Sequence, residues 1–258
     1  MDEVIISRAI TESFMKDFLD SLNIDVAIAG AGPSGLVAAY YLAKKGLKVS
    51  VFERHLKVGG GMPGGGMMFN RIVVQEEGKS IMKEFGIGLK KYRKGLYVAD
   101  SLETIGAMCA RCIREGVKIF NLITVEDVVI REDDRISGVV LNWSAVGWSK
   151  LHVDPLAAKS KVVIDATGHD AEIARIVEKK IGAKLFTEDG KVKGERSMWA
   201  EVGEKALLEN TKEIYPGLIT CGMVANAVFG SPRMGAIFGG MLLSGKKAAQ
   251  IAEKKCKA

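Results

Sequence analysis

The chain has 258 residues, 48% hydrophobic and 26% charged, with a formal net charge of +6 at pH 7. That balance belongs to a soluble globular protein with a substantial core, and it excludes fibrous and low-complexity classes. No apolar run reaches the roughly 18 residues of a membrane span. The positive charge is spread in short clusters, densest at Lys90, Lys91, Arg93 and Lys94. No nucleic-acid recognition motif accompanies that cluster, so a solvated face is expected there and no nucleic-acid partner. The anionic phosphates of a small ligand suffice to explain a mildly basic protein.

Along the chain, residues 1–20 alternate charge with apolar positions and lack the uninterrupted h-region of a secretory signal. With only four cysteines in addition, the cytoplasm is the expected compartment. Ile6, Ile10, Phe14 and Phe18 recur at helical spacing, which predicts an amphipathic helix over 5–20, packed on the body or on another subunit. Residues 25–29 and 48–52 read as buried strands on either side of a helix over 34–45, one βαβ unit of about thirty residues. The loop 58–68 follows, with six glycines and one proline. So much backbone freedom predicts a turn that approaches something closely, or a mobile lid. Helices are predicted at 79–85 and 101–115, and a strand at 118–121. Residues 124–143 alternate apolar and polar around Asp133, Asp134 and Gly138, the pattern of antiparallel strands joined by a turn. A further buried strand at 161–164 ends in Ala166-Thr167-Gly168, and a Gly-rich segment (230–240) leads into a final helix over 241–255. The expected architecture is one α/β domain over 1–258, a Rossmann-like doubly wound sheet with a small antiparallel β insertion at about 124–143.

Gly30-Ala31-Gly32-Pro33-Ser34-Gly35 sets a G-x-G-x-x-G fingerprint between the first strand and its helix. Gly30 allows the tight turn, Gly32 removes a side chain where a pyrophosphate must approach, and Gly35 lets the helix pack on the strand. The helix N-terminus adds free N–H groups and the positive end of its dipole. Glu53, closing the second strand, is placed to hold ribose hydroxyls. A carboxylate there disfavours a 2′-phosphate, so NAD or FAD is expected rather than NADP. VVIDATG (162–168) and PGLITCG (216–222) resemble the later signatures of the glutathione-reductase-type flavoprotein scaffold. In that family an aspartate holding the flavin ribityl chain follows the second signature, and here Met223 stands in its place.

The three histidines are His55, His152 and His169. His152 and Asp154 are two residues apart in an extended segment ended by Pro155, and His169-Asp170 follow a central strand, where ligands bind in open α/β sheets. His152, Asp154 and His169 together make a mixed N/O set suited to iron(II) or a similar divalent metal. His55 has no role assigned, since Glu53 and Arg54 account for its loop. Cys109 and Cys112 form a C-x-x-C inside a predicted helix without a second pair, so burial is expected rather than metal binding.

At this point the sequence resembles a known family, the thiazole synthases of thiamine biosynthesis. The resemblance rests on GAGPSGL (30–36), FER (52–54), GGGMPGGGMMF (59–69), HVDP (152–155), ATGHD (166–170) and GSPRMGAIFGGMLLSGKKAA (230–249). It implies a transferase acting on NAD, in which NAD is consumed and not recycled. Nicotinamide is lost, the freed ADP-ribose isomerises to a ketone, glycine condenses with it, sulfur enters, and an ADP-linked carboxy-methylthiazole closes. Eukaryotic members give up the sulfur of a cysteine from the loop equivalent to HVDP, and this chain has His152 at that position. It resembles instead the archaeal branch, which uses external sulfide and bound iron, Fe(II), over multiple turnovers. Carried over residue by residue, the nucleotide would meet Gly30, Gly32, Ser34, Gly35, Glu53, Arg54 and Gly61, with the backbone at Val125 and Met223. Asp154 and His169 would be the metal ligands, and His152, Val153 and Asp154 would also border the nucleotide. His152, Asp154 and His169 would be the catalytic residues; the working-range pKa of an imidazole separately suits His152 to proton transfer. The HVDP loop would reach into the site of a neighbouring subunit of a homo-octamer, and Arg233 would pair with the carboxylate of glycine. A small FAD-dependent oxidoreductase is the alternative on the same scaffold. An absorbance spectrum of the purified protein separates the two: stoichiometric yellow flavin would overturn the thiazole reading, and a spectrum without it is expected.

Overall fold

The computed structural model describes residues 2–131, 133–182 and 184–257. Helix α1 (Glu3–Asp20) precedes β1 (Asn23–Ala29), α2 (Pro33–Ala43) and β2 (Val49–Glu53). Then come β3 (Arg71–Gln75), α3 (Lys79–Phe85), β4 (Lys90–Arg93), β5 (Leu96–Asp100), α4 (Ser101–Arg114) and β6 (Lys118–Asn121). The hairpin β7 (Ile123–Ile130) and β8 (Ile136–Trp143) leads through α5 (Ser144–Trp148) to the long β9 (Leu156–Asp165). The last third holds α6 (Glu172–Ile181), α7 (Ala200–Asn210), β10 (Glu213–Tyr215), β11 (Leu218–Thr220), α8 (Met223–Phe229) and α9 (Gly239–Lys257).

Strand β1 is central because both of its faces can be buried. Val26 and Ile28 pack among residues of α2, α4 and α9, while Ala27 and Ala29 face the β7–β8 hairpin, Phe18 of α1 and α6. A strand covered on both faces reads as a continuous apolar run, which is how its parallel neighbours also read. The order is β10-β11-β9-β1-β2-β6, with β11, β9, β1, β2 and β6 parallel to one another. Strand β9 serves two layers. Its first residues pair with β8, and its last residues pair with β11 on the same side, while β1 runs along the other. The antiparallel hairpin is thus tied into the parallel sheet and lies over its face.

Several expectations change here. The strand predicted at 161–164 is ten residues long, because its first half alternates exposed and buried and so hides among polar letters. Gly138 is not a turn residue. It lies within β8 opposite Lys159, where β8 and β9 approach so closely that a Cβ would meet the Ala158 carbonyl oxygen at 2.3 Å. The turn runs through Asp133 and Asp134, the latter at φ 56°. A second sheet, β3-β5-β4, was not foreseen. Its edge strand β4 is wholly exposed and carries the Lys90–Arg93 cluster, and charge on an exposed edge discourages pairing with another chain. Of the apolar stripe on α1, Phe18 is buried and Phe14 meets Phe120 edge-on, but Ile6 and Ile10 are exposed. Cys112 is buried inside α4 and burial pushes its thiol up to about 12, so this C-x-x-C holds no thiolate pair.

Replacing Gly138 tests the close approach of β8 and β9. Gly138→Ala is expected to cost about 1–3 kcal/mol, the usual range for overpacking, measured as a lowered urea midpoint at unchanged slope. A wild-type midpoint would mean that the strands separate freely.

Candidate functional site

The carboxyl ends of β1, β2 and β9 open into a cavity of about 680 Å³, within the range of small-molecule sites. Gly30, at φ 99°, turns the chain so tightly that a Cβ there would meet the Ala166 carbonyl oxygen at 2.5 Å. Gly35 presses α2 onto the same turn, and a Cβ on it would meet the Gly30 oxygen at 2.2 Å. Gly32 is different: it lines the cavity and a Cβ there would meet nothing within 4 Å. The three glycines therefore split into two that close the turn and one that leaves room. Gly32 is also the N-cap of α2 and offers no side-chain acceptor, so the first-turn N–H groups and the dipole face the cavity, ready for an anion.

Glu53 ends β2 almost fully buried. One carboxylate oxygen accepts from the Ala31 N–H at 2.9 Å and the other from the His55 N–H at 2.9 Å, with His55 Nδ1 also at 2.9 Å. A carboxylate has about four acceptor positions, so these bonds clamp it to the glycine turn and still leave lone pairs for ligand hydroxyls. Arg54 reaches across to Glu172 at the start of α6 and lies 3.6 Å from Asp170. Beneath this pair, the buried Asp165 carboxylate accepts from Thr167 N at 3.1 Å, Thr167 Oγ1 at 2.7 Å and Ala174 N at 2.9 Å. Burial pushes its pKa up, against the lowering effect of those donors. Thr167 Oγ1 in turn accepts from Glu172 N at 2.9 Å, which caps α6 from outside.

His169 projects from this loop on the cavity wall, its Nδ1 2.8 Å from both oxygens of Glu195. On the opposite side the Gly/Met loop forms the rim. Gly60 packs against the glycine turn, where a Cβ would lie 3.0 Å from Gly32 Cα, and Met67 and Met68 sit in the left-handed region at φ 57° and 63°. That conformation is strained for a side chain of this size. Arg233 also lines the cavity, and no carboxylate lies within ion-pair distance of its guanidinium among the described residues.

Of the residues expected from sequence, Gly30, Gly32, Ser34, Glu53, Arg54, Gly61, Val125, His169, Met223 and Arg233 line the cavity. Gly35 acts one layer back, through packing. His152, Val153 and Asp154 do not line it. They are exposed in the loop before β9, anchored by a 3.2 Å bond from Asn142 Nδ2 to the Val153 carbonyl. The adjoining Leu156 pairs with Leu141, which pairs with Val125, two strand spacings or about 10 Å from the cavity wall. The grouping of His152, Asp154 and His169 as one ligand set is therefore not realised within a single chain. Among the described residues no three His, Cys, Asp or Glu side chains gather to hold a metal. Sequence reasoning missed His55, Lys57, Thr167 and Glu172 on the cavity and Glu195 behind it. Thr167, in the ATG signature, carried a signal; Glu195 carried none, since only the fold brings it to His169.

The chain matches the Thi4 family over residues 7–238. It is 58% identical over 257 residues to the thiamine thiazole synthase of Methanothermobacter thermautotrophicus, covering 100% of this chain and 99% of that one. It is 55% identical over 249 residues to the thiamine thiazole synthase of Pyrococcus furiosus, covering 96% of each. Its structure superposes on the crystal structure of Thermovibrio ammonificans THI4 with a TM-score of 0.96 at 47% identity, over 100% of this chain and 99% of the other.

The glycine turn yields a paired prediction. Gly35→Ala is expected to lower stability by about 1–3 kcal/mol through overpacking. Gly32→Val should leave the urea midpoint nearly unchanged but weaken binding of ADP-ribose, used as an anionic probe, at least about tenfold, by intruding on the open space before the helix N-terminus. Equal effects of the two substitutions in both assays would overturn this division of labour.

Proposed function

The chain belongs to the Thi4 family, and from that membership we propose that it builds an ADP-linked thiazole from NAD, glycine and sulfide over multiple turnovers. Thiazole synthesis for thiamine is the coarser activity its relatives carry; the route is our reading. One observation carries it: a cavity at the glycine turn whose walls bear an unpaired Arg233 guanidinium and the His169 imidazole, but no cysteine among the described residues. Cys221, the cysteine nearest the site in sequence, is buried and its thiol is pushed up to about 12, unfit to donate sulfur as a thiolate.

In this reading the pyrophosphate rests on the N-terminus of α2 at Gly30, Gly32 and Ser34, and Glu53 accepts from ribose hydroxyls. Gly61, Val125 and Met223 border the nucleotide, and Arg54, held by Glu172, closes the β2 side. With nicotinamide gone, the opened ribose condenses with glycine. Arg233 holds the glycine carboxylate through its planar fork, the geometry suited to bidentate recognition.

The donor chemistry fits iron(II). His169 presents an imidazole to the cavity, and Asp154 from the exposed loop of a neighbouring copy would complete a site with few protein ligands. Iron(II) held there would supply a site for the soft sulfide anion with open positions beside it. His152, in the same loop, would move protons during imine formation and ring closure. A homo-octamer with shared sites accounts for the exposed apolar residues of α1 and of the segment before β9, where Ile10 is 66%, Trp148 63% and Leu151 63% exposed. No helix among the described residues is long and apolar enough to cross a membrane, and a cytoplasmic location fits this chemistry.

Incubation with NAD, glycine, sulfide and iron(II) without oxygen tests the proposal. Nicotinamide release and a thiazole nucleotide in excess of enzyme are expected; neither product from folded protein would end it. Arg233→Ala should raise the KM for glycine about 10- to 100-fold, since hydrogen bonds to charged groups are worth about 1.5–3 kcal/mol. His152→Ala with normal iron content should slow thiazole formation, and a wild-type rate would remove its role.

A further inference from the structure

His169 is held more tightly than a loop residue needs to be. Its loop is stapled at both ends, by the buried Asp165 carboxylate on Thr167 and Ala174 and by Thr167 Oγ1 on the Glu172 N–H. The ring itself is then fixed by Glu195, both of whose oxygens lie 2.8 Å from Nδ1. The burial is lopsided: the Glu195 side chain is 14% exposed and that of His169 44%. The carboxylate is the sheltered, preformed partner, and the imidazole reaches from it to the cavity.

Glu195 is itself mounted on a rigid clip. Its flanking residues bond through the backbone to the segment that ends in Arg233: Gly194 N to Ala227 O at 2.8 Å, Arg196 N to Ser231 O at 3.1 Å, and Arg233 N to Arg196 O at 3.1 Å. Trp199 N to Arg233 O, at 2.9 Å, closes the clip. Among the described residues the Glu195 carboxylate forms its one ion-pair contact with His169.

An ionised carboxylate only accepts hydrogen bonds. Nδ1 must therefore carry the proton that faces Glu195, and in the neutral ring the lone pair is left on Nε2, which has no hydrogen-bond partner among the described residues. We propose that Glu195 is the positioning residue of His169, fixing its tautomer and ring plane so that Nε2 is offered to the cavity as the donor for a divalent cation. Such carboxylate–imidazole pairs orient metal-binding histidines and raise their basicity. Because the same clip carries Arg233, one short segment sets the spacing between the cation ligand and the guanidinium that receives the amino-acid carboxylate. This inference rests on His169 being a metal ligand, as proposed above, and names the group that makes it one.

The test is an anaerobic titration of the full-length protein with cobalt(II) alone, followed by its visible absorption, with ADP-ribose affinity and the urea midpoint measured on the same samples. Glu195→Ala is expected to weaken cobalt binding about 10- to 100-fold, the usual effect of losing such a partner, with ADP-ribose affinity unchanged. Glu195→Gln, which keeps an acceptor for Nδ1–H, should recover part of the loss. Wild-type cobalt affinity in Glu195→Ala, with binding lost in His169→Ala, would overturn the role of Glu195 and leave His169 as a ligand. Wild-type affinity in both would overturn the ligand assignment as well. If Glu195→Ala does not fold, nitrogen NMR of the metal-free wild-type imidazole decides at a pH where the ring is neutral. A proton on Nδ1 of His169 supports the proposal, and a proton on Nε2 overturns it.

Discussion

The first turn of α2 carries backbone N–H groups with no intrahelical acceptor, and its N-cap, Gly32, has no side chain to satisfy them. Those donors must meet an anion or water, and the geometry of this end of the sheet follows from keeping them accessible. Gly30 and Gly35 draw strand, turn and helix together until no Cβ could fit between them. The Ala31 N–H, which points the other way, is taken by Glu53. The same carboxylate thereby locks the end of β2 to the end of β1 and keeps its remaining lone pairs on the cavity side. A single helix end with open N–H donors thus dictates two glycines, one acid and the register of two strands.

Around that seat the cavity divides by chemistry. The wall formed by β2 and α6 is ionic but internally paired, with Arg54 between Asp170 and Glu172. The wall formed by the segment before α9 carries Arg233 without a partner. The Arg54 guanidinium is already neutralised by its neighbours and that of Arg233 is not, so the two arginines differ in charge balance although both face the same space. Between them His169 is the one imidazole held by a sheltered carboxylate from a distant segment. The rim is of another kind, since Met67 and Met68 hold left-handed backbone beside six glycines. Backbone held in that region marks places where close approach outweighs conformational comfort.

The exposed loop of His152 and Asp154 stands outside this enclosure, yet the sequence gives it a composition suited to chemistry rather than to a surface turn. It is flanked by exposed Trp148 and Leu151, and apolar surface of that kind beside polar functional groups is what a contact with another chain requires. The shared site proposed above would place these functional groups on an apolar face between two copies of the chain.

Much of this was legible in the letters. The βαβ unit, the glycine turn, Glu53, the helices α3 and α4 and the hairpin β7–β8 are local, set by periodicity and by the few residues that permit a tight turn, and such signals survive in a single sequence. What periodicity could not resolve was decided by tertiary packing. Strand β9 alternates at one end and is fully buried at the other because it serves two layers, and Gly138 reads as a turn until β9 is laid against it. The small β3-β5-β4 sheet is spread over residues 71–100 with a helix between its strands, so its pairing is invisible to any short window. The site shows the same division. The sequence by itself determined which residues could bind phosphate, ribose, carboxylate or metal, because those capacities belong to side chains and turns. Only the tertiary structure decided which of them meet. It brought Glu195 to His169 across 26 residues and left Arg233 unpaired. It also held His152 and Asp154 apart from the cavity, because distance and burial arise from packing between segments that do not adjoin in the chain.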